Sequence, residues 1–295
     1  MSILMHVVRL IKIFIYNMTI LYINNSVAYH YEVILSVLEK YDLLLGISKG
    51  SIDSIYLTFE PNDSFQQYIQ DRYPQIHILK PRYYDYFIDC TVYSYLGNIE
   101  DNNSHQYISH DVHPCFENRS NVWSLTPLSK NLSRVFCADI FPFQSHKVKP
   151  DIPIYVVQGN IIPYRRCYEL LNRILSVEYE YPFKIKILGR SHPNQYVFQN
   201  ASNKLIYKTD MNFVDFHREL TDCYCILPLV TKKTHPQYYT NKFTSSINYA
   251  RGYKLKCLID RDLQEIYQLD DVEIFQDEGD IVDAFRRSLF KFYLR

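Results

Sequence analysis

Short apolar runs alternate with amphipathic stretches through the second half of the chain. The apolar runs predict buried strands at 154–157, 184–188, 204–207, 224–229 and 255–259. Between them, apolar residues recur three and four positions apart, which predicts helices at 164–175, 212–221 and 242–250. Strands and helices that alternate at this spacing form a parallel, doubly wound sheet. The second half is therefore predicted to be an α/β domain.

The first half shows the same alternation less regularly. Its apolar runs predict strands at 19–23, 55–59, 76–79, 86–95, 122–125 and 134–138, with helices at 29–41 and 64–72. The polar segment SHKVKPDIP at 145–153 carries two prolines and separates the halves. We predict an N-terminal extension at 1–17, an α/β domain at 18–145 and a second α/β domain at 150–295. The fold class is then α/β, with two Rossmann-like, doubly wound domains facing a cleft.

The segment 1–16 is apolar but interrupted by basic residues. His6, Arg9 and Lys12 are three residues apart and would form one polar stripe on a helix. Such a stripe argues against a membrane span, so a cytoplasmic protein is expected. A short interfacial helix that contacts a membrane, a domain that opens at Met18, and an N-terminal anchor into the lumen of the secretory pathway remain the alternatives. Seven Asn-x-Ser/Thr sequons keep the secretory route open.

Acidic and basic residues balance over the whole chain. The 32 Lys and Arg residues match 32 Asp and Glu residues, whereas domains that bind nucleic acid usually carry a basic excess. No nucleic-acid partner is therefore expected.

The stretch YYTNKFTSSINYARGYKLKCLID, at 238–260, combines a polar lead-in, a helix and a buried strand. Phe243, Ile247 and Ala250 share one face of the predicted helix, which assigns that face to the core. This stretch therefore places polar side chains shortly before a buried strand.

Four polar residues crowd the first turn of the predicted helix: Lys242, Thr244, Ser245 and Ser246. A helix N-terminus has unpaired N–H groups and a partial positive charge, so it attracts anions. Hydroxyl groups and an ammonium added there favour a diphosphate. The alternative is an ordinary capped helix whose polar residues face water.

Three loops of the second half are predicted to meet at the carboxyl ends of the strands, where ligands bind in such sheets. They are Gln158, Gly159 and Asn160 with Arg165 and Arg166 just beyond, then Gly189 and Arg190, and finally 228–246. A glycine lets another backbone approach closely, and an arginine can face a phosphate. The two neighbouring arginines of the first loop would otherwise be ordinary charges on a helix surface.

Four segments of the second half resemble the donor-nucleotide domain of two-domain, GT-B-type glycosyltransferases. They are IYVVQGNIIPYRRCYELL, FKIKILGR, FVDFHREL with the following DCYCILPLV, and YYTNKFTSSINYARGYKLKCLID. The phrase YYTNKF is also similar to the Tyr-x-Thr-Glu-Lys signature of GT-B fucosyltransferases, with Asn241 in place of the Glu. Two features depart from the family. No Glu lies at 238–263, where many members bind the ribose or the sugar, and the first loop keeps only Gly159.

The resemblance implies a transferase that moves a sugar from a nucleotide sugar to a hydroxyl group of a glycan or another acceptor. The nucleotide sugar is a substrate, and neither a cofactor nor a metal is expected, because the helix N-terminus can neutralise the leaving diphosphate. The first domain would then bind the acceptor and the second the donor. The residues assigned to the donor diphosphate and nucleotide are Gly159, Asn160, Arg165, Arg166, Gly189, Arg190, Tyr239, Lys242, Thr244, Ser245 and Ser246.

A general base for an inverting reaction is expected on the loops of the first domain. His110 beside Asp111 pairs an imidazole with a carboxylate, which suits proton abstraction from a sugar hydroxyl. His30 is the second catalytic candidate. The alternative is that these are surface residues without a catalytic role. His110 and His113 have the spacing of two zinc ligands but lack a third, so no metal site is predicted.

Other classes of protein fit parts of this pattern. A non-catalytic nucleotide-sugar-binding protein would keep the second half but lack a working base. A phosphorylase or an epimerase would share the two-domain plan, and an interaction protein would account for the 28 tyrosines. Discriminating among these classes requires knowing which ligands bind and whether they are turned over.

Overall fold

The computed structural model describes residues 18–25, 27, 30–93, 99–129, 134–144, 150–162, 164–191, 198 and 203–294. The chain forms two compact units. The first runs to Ser109 and includes Pro114–Trp123, and the second consists of His110–His113 and the chain from Ser124 onward. The predicted extension at 1–17 and much of the predicted boundary at 145–153 lie outside the described residues. The predicted domain limits of 18–145 and 150–295 therefore stay predictions.

A six-stranded sheet forms the centre of the first unit, with the strand order β3-β2-β1-β4-β5-β6. The strands are β1 Ile20–Asn25, β2 Ser54–Thr58, β3 Ile76–His77, β4 Tyr86–Val92, β5 His105–Ser109 and β6 Val122–Ser124. The helices are α1 Tyr31–Leu45, α2 Asp63–Arg72 and α3 Pro114–Glu117, with a 3₁₀ turn at Lys49–Ser51. Strands β1 to β5 pair in parallel, and the inner residues of β1 and α1 are closed to solvent.

A second six-stranded sheet forms the centre of the second unit, with the order β12-β11-β10-β7-β8-β9 and parallel pairing throughout. The strands are β7 Ile154–Gln158, β8 Lys184–Gly189, β9 Leu205–Thr209, β10 Cys225–Ile226, β11 Lys256–Asp260 and β12 Val272–Phe275. The helices are α4 Tyr168–Leu175, α5 Phe213–Arg218, α6 Gln237–Thr240, α7 Ser245–Gly252, α8 Arg261–Tyr267 and α9 Ile281–Tyr293.

The chain builds this second sheet outward from β7, first to one side and then to the other. It runs from β7 to β8 and β9, and then returns to add β10 on the opposite side of β7. Strands β7 and β10 therefore flank a topological switch point, where the carboxyl ends of parallel strands leave a crevice for ligands. The predicted α/β class with two doubly wound sheets is confirmed.

Helix α9 covers the sheet of its own unit. The ring of Phe285 packs on that of Tyr155 in β7 with centroids 4.4 Å apart, and both residues are closed to solvent. The Tyr155 hydroxyl donates to the Ser288 Oγ at 3.1 Å. Burial raises the pKa of Tyr155, so the phenol stays neutral and keeps this hydrogen bond.

Helix α4 begins later than the sequence predicts. It starts at Tyr168 rather than at 164, because the Cys167 N–H donates to the Leu229 carbonyl oxygen at 2.7 Å instead of to a helical carbonyl. Arg165 and Arg166 therefore lie in a turn before the helix, and their expected place in its first turn is wrong.

Helix α7 also begins later, at Ser245 rather than at 242. The Lys242 N–H donates to the Gln237 carbonyl oxygen at 2.7 Å and so closes the preceding helix α6. Thr244 then adopts an extended backbone, with φ −100° and ψ 123°, which places it at the N-cap. Of the four polar residues predicted for the first turn, Ser245 and Ser246 lie in the helix, while Lys242 and Thr244 precede it.

The predicted strand at 134–138 is wrong as well. Only Val135 pairs, in an isolated bridge to Ser124. Among the described residues, no helix combines the length and the apolar composition that a membrane crossing requires. The predicted interfacial helix at 1–16 lies outside those residues.

Candidate functional site

At the carboxyl end of β7, the last residue of that strand and the loop after it meet the first turn of α7. The switch-point site consists of Gln158, Gly159, Arg166, Ser245 and Ser246. Hydrogen bonds and one close backbone approach join these residues into a single structure at the carboxyl end of the sheet, the location where doubly wound sheets bind ligands.

Two glycines let the first two loops approach each other. Gly159 has φ +117°, a conformation that side chains other than glycine rarely adopt. A Cβ atom on Gly189 would lie 1.8 Å from the Gly159 carbonyl oxygen, so only glycine fits at the end of β8. The Gly159 N–H donates to the Leu188 carbonyl oxygen at 2.9 Å, which fixes this approach. Both glycines are thus required for the close approach of the two backbone segments at the site.

The guanidinium of Arg166 lies under the end of β7, with 5% of the residue exposed. Nη2 donates to the Gln158 carbonyl oxygen at 2.9 Å and to the Ser246 Oγ at 3.4 Å, and Nη1 donates to the Arg165 carbonyl oxygen at 2.7 Å. In the described part of the chain, Nε has no hydrogen-bond partner and no carboxylate forms an ion pair with this arginine. A buried cation is therefore held entirely by neutral acceptors.

Gln158 connects the end of β7 to the start of α7. Its side-chain amide donates to the Ser245 Oγ at 2.9 Å and to the Ser246 Oγ at 3.0 Å. Gln158 is 4% exposed and Ser246 is closed to solvent. The sequence interpretation placed Gln158 in the first loop without assigning it a role. Its signal was a single amide residue at the end of an otherwise apolar strand.

The N-terminus of α7 lacks a side-chain cap. Thr244 occupies the N-cap position, but its hydroxyl makes no capping hydrogen bond, and its buried Oγ1 has no partner within the described residues. The first N–H groups of a helix have no acceptor inside the helix. The predicted alternative of an ordinary capped helix therefore lacks its capping bond, and the positive end of α7 faces the neighbourhood of Arg166.

Lys242 pairs with the segment His110–His113. The backbones of Asp111 and Lys242 form an antiparallel bridge, and the Val112 N–H donates to the Asn241 carbonyl oxygen at 2.7 Å. Lys242 is partly exposed, whereas His110 and Asp111 are 9% and 7% exposed. The structure thus brings two predicted catalytic residues together with a predicted phosphate-binding residue, and it places that pair in the second unit rather than in the first.

His30, the other predicted catalytic residue, lies in the first unit. It occupies the N-cap position of α1 without a side-chain capping bond. Its Nδ1 lies 3.4 Å from the Oε1 of Glu32, a carboxylate whose side chain is 4% exposed. His30 is therefore oriented by an acidic neighbour, as a general base would need to be.

Tyr239 is buried in the loop that leads to α7. Its hydroxyl donates to the Val230 carbonyl oxygen at 3.2 Å, and the residue is 8% exposed. Burial, followed by the nearby carboxylate of Asp260, raises the pKa of Tyr239. The neutral phenol of Tyr239 therefore stabilises the loop, and this structural role is separate from the predicted contact to a nucleotide.

Asn160, Arg165 and Arg190 lie at the exposed rim of the loops. The guanidinium of Arg165 sits over the ring of Tyr164 at 5.8 Å from its centroid, and that tyrosine is 68% exposed. The Asn160 carbonyl oxygen accepts from the Tyr168 hydroxyl at 3.3 Å. Of the two neighbouring arginines in the first loop, one is thus buried in the site and the other is exposed.

His235 is a buried histidine close to Arg166. It is 2% exposed, and its Nδ1 lies 2.8 Å from the Thr234 Oγ1. Burial, with a further contribution from the Arg166 charge, lowers the pKa of His235 to about 4, although a hydrogen bond to the Tyr164 backbone acts in the opposite direction. The imidazole is therefore neutral at physiological pH.

An Asp-x-Asp pair, Asp260 and Asp262, spans the end of β11 and the start of α8. The Oδ1 of Asp260 accepts the Leu263 N–H at 3.2 Å and caps α8, and the Oδ2 of Asp262 accepts from the Lys232 Nζ at 3.2 Å. Among the described residues, no group of three or more His, Cys, Asp or Glu side chains is placed to hold a metal ion. Metal independence stays a prediction.

Solved structures match this chain, although sequence comparisons do not. No family model matches the sequence, and no curated protein matches it. WaaG, described as a glycosyltransferase involved in lipopolysaccharide biosynthesis, superposes with a TM-score of 0.50 at 9% identity over 94% of this chain and 92% of WaaG. A putative UDP-N-acetylglucosamine 2-epimerase from Listeria monocytogenes gives 0.49 at 10% identity over 92% and 88% of the two chains. A T4 phage BGT variant in complex with UDP-glucose gives 0.44 at 11% identity over 93% of each chain.

The likeness to WaaG covers more than nine tenths of both chains and includes both sheets. The chain therefore has the GT-B-type fold, with two Rossmann-like units. This confirms the fold expected from the four segments of the second half and extends it to the first half, where the sequence supported only the general architecture.

Proposed function

We propose that this protein is a glycosyltransferase that moves a sugar from a nucleotide sugar to a hydroxyl group of an acceptor. The observation that carries the proposal is the buried guanidinium of Arg166, which has no ion-pair partner among the described residues and lies beside the uncapped start of α7. A buried charge without a counter-ion is costly. An anionic ligand in the switch-point site would offset that cost.

The chemistry of the site favours a diphosphate over a single carboxylate. A guanidinium presents several N–H groups in one plane, a helix N-terminus presents unpaired backbone N–H groups, and Ser245 adds a hydroxyl. These donors converge at a topological switch point, where nucleotides bind in doubly wound folds. WaaG, which shares the fold, is described as a glycosyltransferase.

The proposed reaction breaks the bond between the anomeric carbon and the diphosphate oxygen. The electron pair of that bond goes to the diphosphate, and Arg166 and the start of α7 are already aimed at the charge that develops there. Donors positioned in advance lower the barrier without rearranging, and the loss of one typically costs about 3 kcal/mol. Lys242 is proposed as the second cation at the diphosphate.

The acceptor hydroxyl forms the new bond to the anomeric carbon and gives its proton to a base. His110 or Asp111 is proposed for this role, because their segment pairs with Lys242 in the second unit. His30 in the first unit is the other candidate. The acceptor is proposed to be a glycan or another hydroxyl compound in the cytoplasm, and the reaction is proposed to need neither a metal nor a cofactor.

The proposal is tested with purified protein and a panel of nucleotide sugars in the presence of EDTA. Because a ligand that binds only the folded state raises the melting temperature, thermal shift identifies the donor. Release of the nucleoside diphosphate is then measured with and without candidate acceptor glycans. Release that depends on an acceptor supports the proposal, and a panel in which no nucleotide sugar binds overturns it.

The alternative is a non-catalytic protein that binds a nucleotide sugar or serves as an interaction module on the same fold. It predicts a thermal shift without release of nucleoside diphosphate for every acceptor. Isomerisation of the donor sugar without an acceptor would instead identify an epimerase. Activity that EDTA abolishes and Mn²⁺ restores would contradict the metal-independent form of the proposal.

A further inference from the structure

The first sheet has a topological switch point of its own. The chain adds β2 and β3 on one side of β1 and then β4, β5 and β6 on the other, so β1 and β4 flank this point. Asn25 ends β1, and its register partner is Cys90, the residue before Thr91 in β4. Ligands bind at the carboxyl ends of such strands. Asn25 and Thr91 therefore lie on adjacent strands at the end of the first sheet where a ligand is expected.

The side chain of Asn25 is buried without a partner. The residue is 6% exposed, and neither its Oδ1 nor its Nδ2 makes a hydrogen bond in the described part of the chain. Exchanging the two amide atoms leaves the same deficit, so the observation does not depend on which of them is the oxygen. Native proteins rarely leave buried polar groups unpaired. This amide thus has both a donor and an acceptor to offer to a ligand.

The end of β4 is distorted at Thr91. Its φ is +63°, an outlier for a β-branched residue, and the pairing with β5 shifts by one residue between Asp89 and Val92. Thr91 is closed to solvent, and its Oγ1 has no hydrogen-bond partner within the described residues. Bulges and strained residues occur preferentially beside ligand sites, where they re-aim a side chain. The strain at Thr91 is therefore a second observation, independent of the Asn25 amide, at the same end of the sheet.

Both strand ends lie close to the surface. Asn24, Val27 and Tyr93 are partly exposed, and each is within two residues of Asn25 or Thr91. Two residues of extended chain span at most about 7 Å. No hydrogen bond holds the Asn25 amide in its buried position, so rotation about its side-chain bonds can present it to a ligand at the end of the sheet.

The charged groups buried in the first unit are acidic. Among its described residues they are Glu32 and Asp89, which are 3% and 8% exposed. Asp89 accepts from the Asn24 Nδ2 at 3.3 Å near the end of β4, and Glu32 lies in the first turn of α1, the helix that follows β1. The second unit instead has Arg166 buried at its switch point. A phosphate or a carboxylate would be repelled by the two acidic groups, whereas a hydroxyl group can donate to a carboxylate.

We infer that the carboxyl ends of β1 and β4 bind an uncharged sugar, with the Asn25 amide and the Thr91 hydroxyl as its hydrogen-bond partners. This assignment rests on the proposed function, because it takes the bound sugar to be the acceptor. A sugar hydroxyl has one O–H donor and two lone pairs, which match the acceptor and the donors of a single amide. The acceptor is therefore an uncharged sugar unit and not a phosphorylated or acidic compound.

Two substitutions remove the polar atoms and keep the approximate shape of the side chains. They are Asn25→Leu and Thr91→Val. Asn121→Leu is the matched control, because this buried asparagine of the first unit donates from its amide to the carbonyl oxygens of Glu100 and His105 at 2.7 and 3.1 Å. Melting temperatures of the free proteins measure the fold.

Sugar binding is measured by saturation-transfer NMR with the methyl glycosides of neutral hexoses, in the presence and absence of a nucleoside diphosphate. Glucuronic acid and glucose 6-phosphate are the charged comparisons. Titration calorimetry with ADP, GDP and UDP measures nucleotide binding to the same proteins. The two ligand classes are thus followed separately in every variant.

Wild-type protein should bind a neutral glycoside more tightly than either charged sugar. Asn25→Leu should bind that glycoside at least about tenfold more weakly, and Thr91→Val about threefold to tenfold more weakly, the losses expected for two hydrogen bonds and for one. Nucleotide affinity should not change. Asn25→Leu should melt no lower than wild type, because it loses no hydrogen bond, whereas Asn121→Leu should melt at least about 5 °C lower.

Undiminished glycoside binding in either variant overturns the inference, and so does tighter binding of a charged sugar. A fall in the melting temperature of Asn25→Leu as large as that of Asn121→Leu also overturns it, because the amide would then serve the fold. If wild type binds a nucleoside diphosphate but no neutral glycoside, the inference fails and the proposed donor site stands. If wild type binds no nucleoside diphosphate, the proposed function fails, and with it the assignment of the sugar as an acceptor.

Discussion

The Nη2 atom of Arg166 donates to the backbone carbonyl oxygen of Gln158 at 2.9 Å. The side chain of Gln158 in turn donates to the hydroxyl groups of Ser245 and Ser246. One residue at the end of β7 therefore positions both the buried cation and the first turn of α7. This link makes the switch-point site a single preorganised unit, and it determines which substitutions should affect ligand binding and which should affect the fold.

Lys242→Ala is expected to weaken nucleotide-sugar binding and to slow turnover in a folded protein. Lys242 is partly exposed, and its hydrogen bonds to Gln237 and its pairing with Asp111 use the backbone, which an alanine keeps. The affinity is measured by calorimetry and the rate by nucleoside diphosphate release.

Phe243→Ala is the neighbouring control. Its ring is 3% exposed and packs on Tyr267 at a centroid distance of 5.6 Å. Its loss should lower the free energy of unfolding by about 3–5 kcal/mol. An unchanged affinity and rate in Lys242→Ala would show that this side chain does not bind the diphosphate.

Gly189→Ala is expected to destabilise the second unit strongly. The added Cβ would lie 1.8 Å from the Gly159 carbonyl oxygen, so β8 or the first loop must shift. Overpacking of this kind costs about 1–3 kcal/mol or more. Gly50→Ala is the matched control, because nothing lies within 4 Å of its added Cβ and the residue is exposed. Urea denaturation of both variants measures the difference, and equal stabilities would show that the close approach is not required.

Acid should destabilise the protein partly through His217. This histidine is buried, its Nδ1 lies 2.9 Å from the Tyr253 hydroxyl oxygen, and burial lowers its pKa to about 3. The unfolded state binds a proton near pH 6.5 while the folded state does not. The contribution of His217 to stability is therefore present above pH 6.5 and is lost as the pH falls toward 3, by about 1.4 kcal/mol per pH unit.

The measurement is the free energy of unfolding in urea at pH 7, 6 and 5 for wild type and His217→Phe. The variant should show a smaller decrease between pH 6 and pH 5. His235, which is also held neutral, contributes to the slope of both proteins and cancels in the difference. Parallel pH curves for the two proteins would contradict the assignment to His217.

His110→Gln is expected to lower kcat without changing the affinity for the nucleotide sugar. A base acts on the acceptor proton in the transition state, and its removal typically costs about 10²–10⁴-fold in rate. His30→Gln serves as the comparison in the first unit. The larger loss of kcat at constant donor affinity identifies the base, and full activity of both variants would exclude the two histidines.

The sequence predicted the two doubly wound sheets and the loops that line the site, because hydrophobic periodicity and the order of the elements determine where strands end. It did not distinguish Arg165 from Arg166. These residues are chemically identical and adjacent, and only the packing of the turn before α4 buries one and exposes the other. The local sequence pattern does not indicate which of the two arginines is buried.

The start of α7 was predicted three residues too early for a similar reason. The sequence shows a continuous polar lead-in, but pairing of Lys242 with Asp111, far away in the chain, removes it from the helix. The role of Gln158 was missed because its local signal, a single amide at the end of an apolar strand, does not indicate which residues the amide contacts. Long-range contacts, rather than local helix propensity, determine where α7 starts and which residues Gln158 contacts.

The buried guanidinium of Arg166 should bind an anionic ligand. Arg166→Gln removes the charge, and Arg165→Gln removes an exposed charge one residue away. Urea unfolding of both free variants checks that each still folds, because Arg166→Gln also removes the donors to the Gln158 and Arg165 carbonyl oxygens. Melting temperatures are then measured for wild type and both variants with the nucleotide sugar that stabilises wild type most. The ligand-induced increase should persist in Arg165→Gln and disappear in Arg166→Gln, and an undiminished increase in Arg166→Gln would contradict a ligand-binding role for this guanidinium.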